Sequence, residues 1–155
     1  SLESWVDYWF KPLAYSLILL REAGYPCVFY PDLYGATYSD KGNAITLVPV
    51  KGLEVLLRAR KELAYGFQRD YFDHPNVIGW TREGSSGFPL SGLAVVMSNS
   101  DAGWKRMDVG LKHAGEEWVD VLGNLPGSVI IDASGKAEFR CAPKSVSVWA
   151  SKDWK

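Results

Sequence analysis

The chain opens with apolar residues at helical spacing. They predict a helix capped by Ser4 and ending near Gly24, with apolar positions at Trp5, Trp9, Leu13, Leu17 and Leu20. Pro12 lies inside this pattern and indicates either a kink or a fresh helix start. Residues 25–30 then form a short continuous apolar run, which predicts a buried parallel strand.

A polar loop is predicted from Pro31 to about Pro49, followed by an amphipathic helix that Gly66 stops. The apolar positions of this helix are Leu53, Leu56, Leu57, Ala59, Leu63 and Ala64. One helix, one strand and one helix make an incomplete α/β unit, because a single strand leaves its hydrogen-bonding edges and apolar faces without partners. Residues 1–65 are therefore expected to pack against something absent from this chain.

After Tyr65 the apolar pattern changes to a period of two, which is typical of strands. Seven short strands are predicted, at Val77–Trp80, Leu93–Met97, Lys105–Val109, Glu117–Val121, Val129–Ile131, Ala137–Cys141 and Ser145–Trp149. Gly- and Ser-rich turns separate them, so the pattern favours an antiparallel sandwich or barrel. In the last strand, Val146, Val148 and Ala150 are expected on one face and Trp149 on the other.

Composition is that of a globular protein, with 47% hydrophobic and 23% charged residues in 155. The net charge of −1 has no long run of either sign, so we expect neither a nucleic-acid partner nor a membrane surface. No stretch is long and apolar enough to span a membrane. Cys27 and Cys141 fit no metal or disulfide pattern and are expected to be two buried thiols.

Many short stretches together resemble one family in the right order. They are Trp9–Tyr15, Gly24–Tyr30, Ala59-Arg60, Ala64–Gly66, Asp70–His74, Ile78–Gly84, Ser91–Ala94, Gly115-Glu116, Gly123-Asn124 and Ser145–Trp149. Nearly the whole chain is covered, and it resembles the C-terminal part of the bacterial liquefying-type α-amylases of glycoside hydrolase family 13.

The resemblance implies a two-part architecture. Residues 1–66 would be the last part of a (β/α)₈ TIM barrel, an α/β fragment comprising its seventh helix, eighth strand and eighth helix. Residues 67–155 would be domain C, an all-β Greek-key sandwich. The missing N-terminal barrel portion is then the expected partner of residues 1–66, in agreement with the change of period near Tyr65.

In the family resembled, three catalytic carboxylates lie at the ends of barrel strands four, five and seven, and one of them belongs to an Asn-His-Asp motif. Retaining glycosidases need two carboxyl groups about 5 Å apart, and this chain has no Asn-His-Asp segment. We therefore expect no catalytic residue here and an inactive isolated chain. Pairs such as Asp70 with Asp73, or Glu116 with Glu117, are expected to be solvated or ion-paired, as is Glu83.

The resemblance places Tyr30, Asp32 and Tyr34 on the substrate-cleft rim after the eighth strand. A tyrosine ring could stack on glucose, and an aspartate could accept hydrogen bonds from sugar hydroxyls. The alternative is that Asp32 caps a turn and the tyrosines pack the top of the barrel. Many members have Gly where this chain has Pro31, so the loop is expected to differ locally.

Some members hold a calcium ion between the barrel and domain C, and the matching positions here are Pro75, Asn76 and Asn99. Two family aspartates are thus replaced by asparagines, and calcium prefers charged oxygen ligands. The expectation is a weak interdomain calcium site, or asparagines that only cap turns. Calcium in the parent enzyme would be held mainly by residues outside this chain.

The leading hypothesis is a piece of a retaining endo-hydrolase of α-1,4-glucosidic bonds in starch, glycogen and maltooligosaccharides. The alternative is a non-catalytic module that binds α-glucan or assembles with another fragment. Candidate sugar platforms are Trp80, Trp104, Trp118, Trp149 and Trp154, of which Trp80 and Trp118 are expected to pack inside. The compartment stays open between a secreted and a cytoplasmic bacterial protein, with free cysteines favouring the cytoplasm weakly.

Overall fold

The computed structural model describes residues 6–154, so the predicted cap Ser4 and the neighbouring Trp5 lie outside the described residues. Three short helices and a β-hairpin precede the main sheet. A 3₁₀ turn at Tyr8–Phe10 leads into α1 (Lys11–Leu20), and α2 (Tyr30–Tyr34), β1 (Ala36–Asp40), β2 (Asn43–Leu47) and α3 (Leu53–Glu62) follow. Pro12 lies in the first turn of α1, so it starts a helix rather than kinking one.

The remaining strands carry the predicted period-two pattern, and all seven predicted strands are present with small changes at their ends. The strands are β3 (Gln68–Tyr71), β4 (Val77–Arg82), β5 (Leu93–Ser98), β6 (Gly103–Asp108), β7 (Glu117–Asp120), β8 (Ser128–Ile130), β9 (Lys136–Cys141) and β10 (Ser145–Ser151). β3 is an additional strand, paired with β4. A mostly β structure is therefore confirmed for this part of the chain.

Six of these strands form one antiparallel sheet in the order β3-β4-β5-β10-β7-β8, and β6 pairs with β9 in a separate ribbon. The last strand is inserted between β5 and β7, a long-range return like those of Greek-key sandwiches. One face of the sheet packs on α1 and α3, and the other packs on the β6–β9 ribbon. β5 is buried along its whole length because both of its faces are covered.

The alternation predicted for β10 is confirmed. Val146, Val148 and Ala150 lie in the core shared with α1 and α3, and Trp149 lies in the core under the ribbon. Each fully buried aliphatic side chain of these cores contributes roughly 1.5–3 kcal/mol relative to an exposed one. Two apolar layers on opposite faces of one sheet therefore hold α1, α3 and the strands after Gly66 together.

The C-terminal end of α1 is joined to its neighbours by polar contacts. The guanidinium of Arg60 on α3 donates to the Leu19 carbonyl at 2.5 Å, and the indole of Trp80 on β4 donates to the Leu20 carbonyl at 3.4 Å. The last carbonyls of a helix lack partners within the helix itself. The seam between helices and sheet is thus closed by hydrogen bonds as well as by apolar packing.

Residues 25–30 do not form the predicted strand. Phe29 has an extended backbone, with φ −73° and ψ 121°, but its amide donates to the Tyr15 hydroxyl rather than to a neighbouring strand. A strand needs a paired neighbour for its backbone groups, and the described part of this chain supplies none here. Cys27 is accordingly exposed, which corrects the prediction of two buried thiols, whereas Cys141 is buried.

The predicted polar loop between Pro31 and Pro49 is also wrong, because α2 and a β-hairpin occupy it. The hairpin turns on Lys41 and Gly42, which both have positive φ, at 48° and 83°. Two such residues form the turn that matches the twist of paired strands. Lys is uncommon at positive φ, so the turn was not apparent from the sequence.

None of the described helices is long and apolar enough to cross a membrane. The end of the chain packs against α3, since the Trp154 indole donates to Glu62 at 2.7 Å and the Arg58 guanidinium lies 4.3 Å from its ring centroid. Trp154, one of the candidate sugar platforms, is therefore held against α3.

Candidate functional site

The predicted rim residues lie on α2, a helix of little more than one turn. Pro31 at its start fixes a helical φ, and Gly35 ends it with φ 73°, its amide donating to the Pro31 carbonyl at 2.8 Å. A Cβ at position 35 would lie 3.0 Å from the Leu47 carbonyl oxygen. The positive φ and this close approach both favour glycine at the junction of α2 and the hairpin.

Asp32 points inward and anchors α2 to α1. One carboxylate oxygen accepts from the Lys11 ammonium at 2.5 Å, and the other accepts from the Tyr15 hydroxyl at 2.6 Å. The residue is 6% exposed. With both oxygens engaged, Asp32 acts in this structure as an anchor of α2.

Tyr15 connects Asp32 to the backbone of the segment before α2. Its hydroxyl donates to Asp32 and accepts from the Phe29 amide at 3.3 Å. Burial, followed by the hydrogen bond to the Asp32 carboxylate, raises the pKa of Tyr15 to about 12. The phenol therefore stays neutral and keeps donating throughout the physiological range.

The two tyrosines of α2 point outward together. Tyr30 is 69% exposed and Tyr34 is 62% exposed, and their ring centroids lie 4.7 Å apart. Positions i and i+4 share one helix face, which explains the contact. Two adjacent rings of this kind can pack on an apolar surface or on the face of a sugar ring. Substrate binding by Tyr30, Asp32 and Tyr34 stays a prediction.

Sequence reasoning missed Lys11 and Tyr15, which hold Asp32. They are four residues apart on α1, the spacing that places two side chains on one helix face. That spacing was visible in the sequence. Their common partner lies 17 residues beyond Tyr15, and only the folded chain brings it there.

Asn76 and Asn99 are neighbours at the ends of β4 and β5, where the Asn99 amide donates to the Asn76 carbonyl at 3.2 Å. Both side chains are exposed. Within residues 6–154 no three His, Cys, Asp or Glu side chains come together in a metal-binding group. Calcium takes six to eight oxygen ligands including carboxylates, so these residues do not fit a calcium site held by this chain's side chains alone.

The other carboxylates considered from the sequence are ion-paired. Asp70 pairs with Arg21 at 2.8 Å, and Glu83 pairs with Arg69 at 2.9 Å. Asp73 pairs with Lys105, which lowers the pKa of that carboxyl. Glu116 and Glu117 contact His113 and Lys152, respectively. These contacts agree with the expectation that the carboxylates are structural or solvated.

Two kinds of comparison connect this chain to known proteins. Residues 93–150, which run from β5 through most of β10, match the family model described as Alpha-amylase C-terminal. The chain is 49% identical over 152 residues to an α-amylase of Bacillus licheniformis, a match covering 98% of this chain and 29% of that protein. It is 47% identical over 158 residues to a cytoplasmic α-amylase of Escherichia coli K12, covering 99% of this chain and 32% of that protein.

Solved structures with low sequence identity share the fold. A γ-CGTase from alkalophilic Bacillus clarkii superimposes with a TM-score of 0.60 at 20% identity, over 96% of this chain and 24% of that one. An α-amylase from Malbranchea cinnamomea gives a TM-score of 0.50 at 13% identity, over 67% of this chain and 22% of that one. At these identities the likeness concerns the fold alone.

The mostly β fold and the family match define an amylase-type C-terminal domain. The chain belongs to the α-amylase family, as the C-terminal domain of such a protein. It spans less than a third of the length of the curated relatives described above.

Proposed function

We propose that this chain is the C-terminal part of a glycoside hydrolase family 13 α-amylase, a retaining endo-hydrolase of α-1,4-glucosidic bonds in starch and glycogen. In this proposal residues 1–66 complete the (β/α)₈ barrel and residues 67–155 form domain C. The catalytic carboxylates lie outside the chain. Calcium in the whole enzyme would be held mainly by residues outside the chain.

The observation that carries the proposal is where exposed apolar side chains lie. Among the described residues, ten of seventeen exposed large hydrophobic side chains precede residue 50. Tyr25 is 101% exposed and Phe29 is 57% exposed, in the segment whose sequence predicts a buried strand. Apolar surface concentrated in this way marks an interaction surface, and here the missing barrel would cover it.

The two helices that flank this segment, α1 and α3, support this arrangement. Leu13, Leu20, Leu53 and Leu56 are at most 2% exposed and share a core with the sheet. The helices are therefore attached to the sandwich on one side while the segment between them stays open. A barrel wall packed against domain C requires both properties.

A chimaera tests the proposal. The matching C-terminal stretch of the B. licheniformis α-amylase is replaced by this chain, and hydrolysis of soluble starch is measured beside that of the isolated chain. We expect the chimaera to be active and the isolated chain inactive, with NMR showing an α-configured product first, as retention requires.

Two matched variants test whether the activity of the chimaera depends on burial of residues 25–30. Tyr25→Asp puts a charge into the proposed strand and is expected to lower chimaera activity by at least about a hundredfold, because an unpaired buried charge costs several kcal/mol. Leu111→Asp alters a residue 70% exposed on the sandwich and is expected to leave activity unchanged. A folded but inactive chimaera, or equal effects of the two variants, contradicts the proposal.

A further inference from the structure

One exposed tryptophan lies beside a groove on the sandwich. Of the five tryptophans considered as sugar platforms, Trp80, Trp118 and Trp149 are buried and Trp154 packs on α3. Trp104 is 60% exposed on the outer face of β6. Among the described residues its indole has neither a hydrogen bond nor a ring contact. Its ring is therefore available to a ligand.

The groove beside Trp104 has a volume of about 600 Å³, within the range of roughly 300–1,000 Å³ common for small-molecule sites. Its walls are β6 and the turn before β4, and they carry donors and acceptors such as Asp73, His74, Asp101 and Arg106. Of the residues described before Gly66, numbers 6–65, none lines it. The groove thus belongs to the sandwich.

The free edge of β6 adds backbone donors and acceptors. Asp108 directs its amide to the Tyr71 hydroxyl and its carbonyl to the Thr81 hydroxyl, so both groups point away from β9. Backbone groups along an antiparallel strand alternate in direction. Those of Arg106 and Trp104 therefore also face the free edge, beside the indole ring.

His74 supplies a fixed donor. Its Nδ1 accepts from the Asn76 and Val77 amides, each at 3.1 Å. In the neutral ring the proton then resides on Nε2. A ligand hydroxyl in the groove can accept from that nitrogen.

Most of the charged side chains that line the groove are already in ion pairs. Lys105 pairs with Asp73, and Arg106 pairs with Asp132 at 2.5 Å. An anionic ligand would have to break these pairs and would also meet the carboxylate of Asp101, which has no ion pair among the described residues. A neutral polyhydroxyl ligand would do neither. A sugar ring combines the apolar C–H face that packs on an indole with hydroxyls for the surrounding donors and acceptors.

We propose that the Trp104 groove binds a short α-1,4-glucan segment, with one glucose ring stacked on the indole, as a non-catalytic site of the sandwich. The choice of α-glucan rests on the proposed function, since it is the substrate proposed for the whole protein. Such a site would hold the polysaccharide near the catalytic barrel.

The test measures binding by the 155-residue chain. Affinity electrophoresis in gels containing soluble starch and calorimetry with maltoheptaose compare the wild type with Trp104→Ala, Trp104→Phe and Trp9→Ala. Trp9 is the control, since it is 43% exposed but its ring faces the Lys144 ammonium at 5.7 Å. Circular dichroism melts check that each variant folds.

We expect Trp104→Ala to weaken binding by about tenfold or more, a loss of about 1.4 kcal/mol or more, with Trp104→Phe intermediate and Trp9→Ala unchanged. The proposal is overturned by no binding in the wild type, by unchanged binding in Trp104→Ala, or by equal affinity for cellohexaose. It is also overturned if a chimaera with an inactivated catalytic site loses the Trp104-dependent binding. If the chimaera is active but the chain does not bind glucan, only the proposed glucan site at the Trp104 groove is overturned. If binding depends on Trp104 but the chimaera is inactive, the glucan site is supported and the proposed function is overturned.

Discussion

The residues around α2 show how one buried acid can organise a short element. Asp32 is the common acceptor for Lys11 and Tyr15, and it holds α2 on α1. The same contacts direct Tyr30 and Tyr34 outward, because their helix face is opposite the anchored one. A residue predicted to contact substrate therefore has a structural role in this chain, and its tyrosine neighbours provide the exposed surface.

We predict that Tyr15→Phe removes the tyrosine with the raised pKa and destabilises the chain by about 1–3 kcal/mol at neutral pH, since it leaves one Asp32 oxygen without its donor. The pKa of Tyr15 is raised from 10.0 to about 12. Its contribution to stability is thus fully present below pH 10 and is lost as the pH rises through about 12. Ultraviolet titration and urea unfolding measure the two effects.

Tyr38→Phe is the control for that prediction, because Tyr38 is 51% exposed on the hairpin. It should leave both the late-ionising component and the urea midpoint in place. A titration in which Tyr15→Phe retains the late component would show that another tyrosine is responsible.

At the scale of elements, the junction of β7 and β10 depends on one buried carboxylate. Asp120 is 6% exposed and accepts four backbone hydrogen bonds, from Leu122, Asn124, Leu125 and Val148, at 2.9–3.2 Å. Burial raises the pKa of Asp120, and the backbone donors oppose that shift. One side chain therefore ties the turn after β7 to the last strand.

We predict that Asp120→Asn destabilises the chain by about 3 kcal/mol, because an amide has only one oxygen and leaves backbone N–H groups buried without an acceptor. Asp40→Asn, at the exposed end of β1, is the matched control and is expected to have little effect. Urea unfolding of both variants gives the comparison. Equal midpoints would show that Asp120 is dispensable at this junction.

For the whole molecule, the main sheet is covered on both faces, whereas the segment between α1 and α3 is left exposed. Both faces of the main sheet are covered, by α1 and α3 on one side and by the β6–β9 ribbon on the other. The segment between α1 and α3 instead exposes rings and an extended backbone. This contrast supports a partner surface at that segment.

The reaction rates of the two cysteine thiols test this contrast. We predict that an aromatic disulfide reagent modifies Cys27 rapidly in the isolated chain and leaves Cys141 unmodified until the chain unfolds. Burial raises the pKa of the Cys141 thiol, which lowers its reactive thiolate fraction further. In the active chimaera Cys27 should react at least about tenfold more slowly, since modification then requires local opening.

Mass spectrometry of the modified peptides assigns each thiol, and Cys27→Ser confirms the assignment. Equal reactivity of Cys27 in the isolated chain and in the chimaera would contradict the proposal that residues 25–30 become a buried barrel strand.

The amino-acid sequence alone was sufficient for seven of the eight strands after Gly66 and for α3, because their apolar periods match the faces they bury, as Val146, Val148 and Trp149 show. It also identified the family through many ordered motifs. Contacts between distant residues determined the rest. The anchoring of Asp32 by Lys11 and Tyr15, the exposure of Trp104 and the edge of β6 beside it all depend on which elements meet. The run at 25–30 fails to form a strand here because strand pairing is a long-range interaction, and its sequence pattern cannot supply the neighbour.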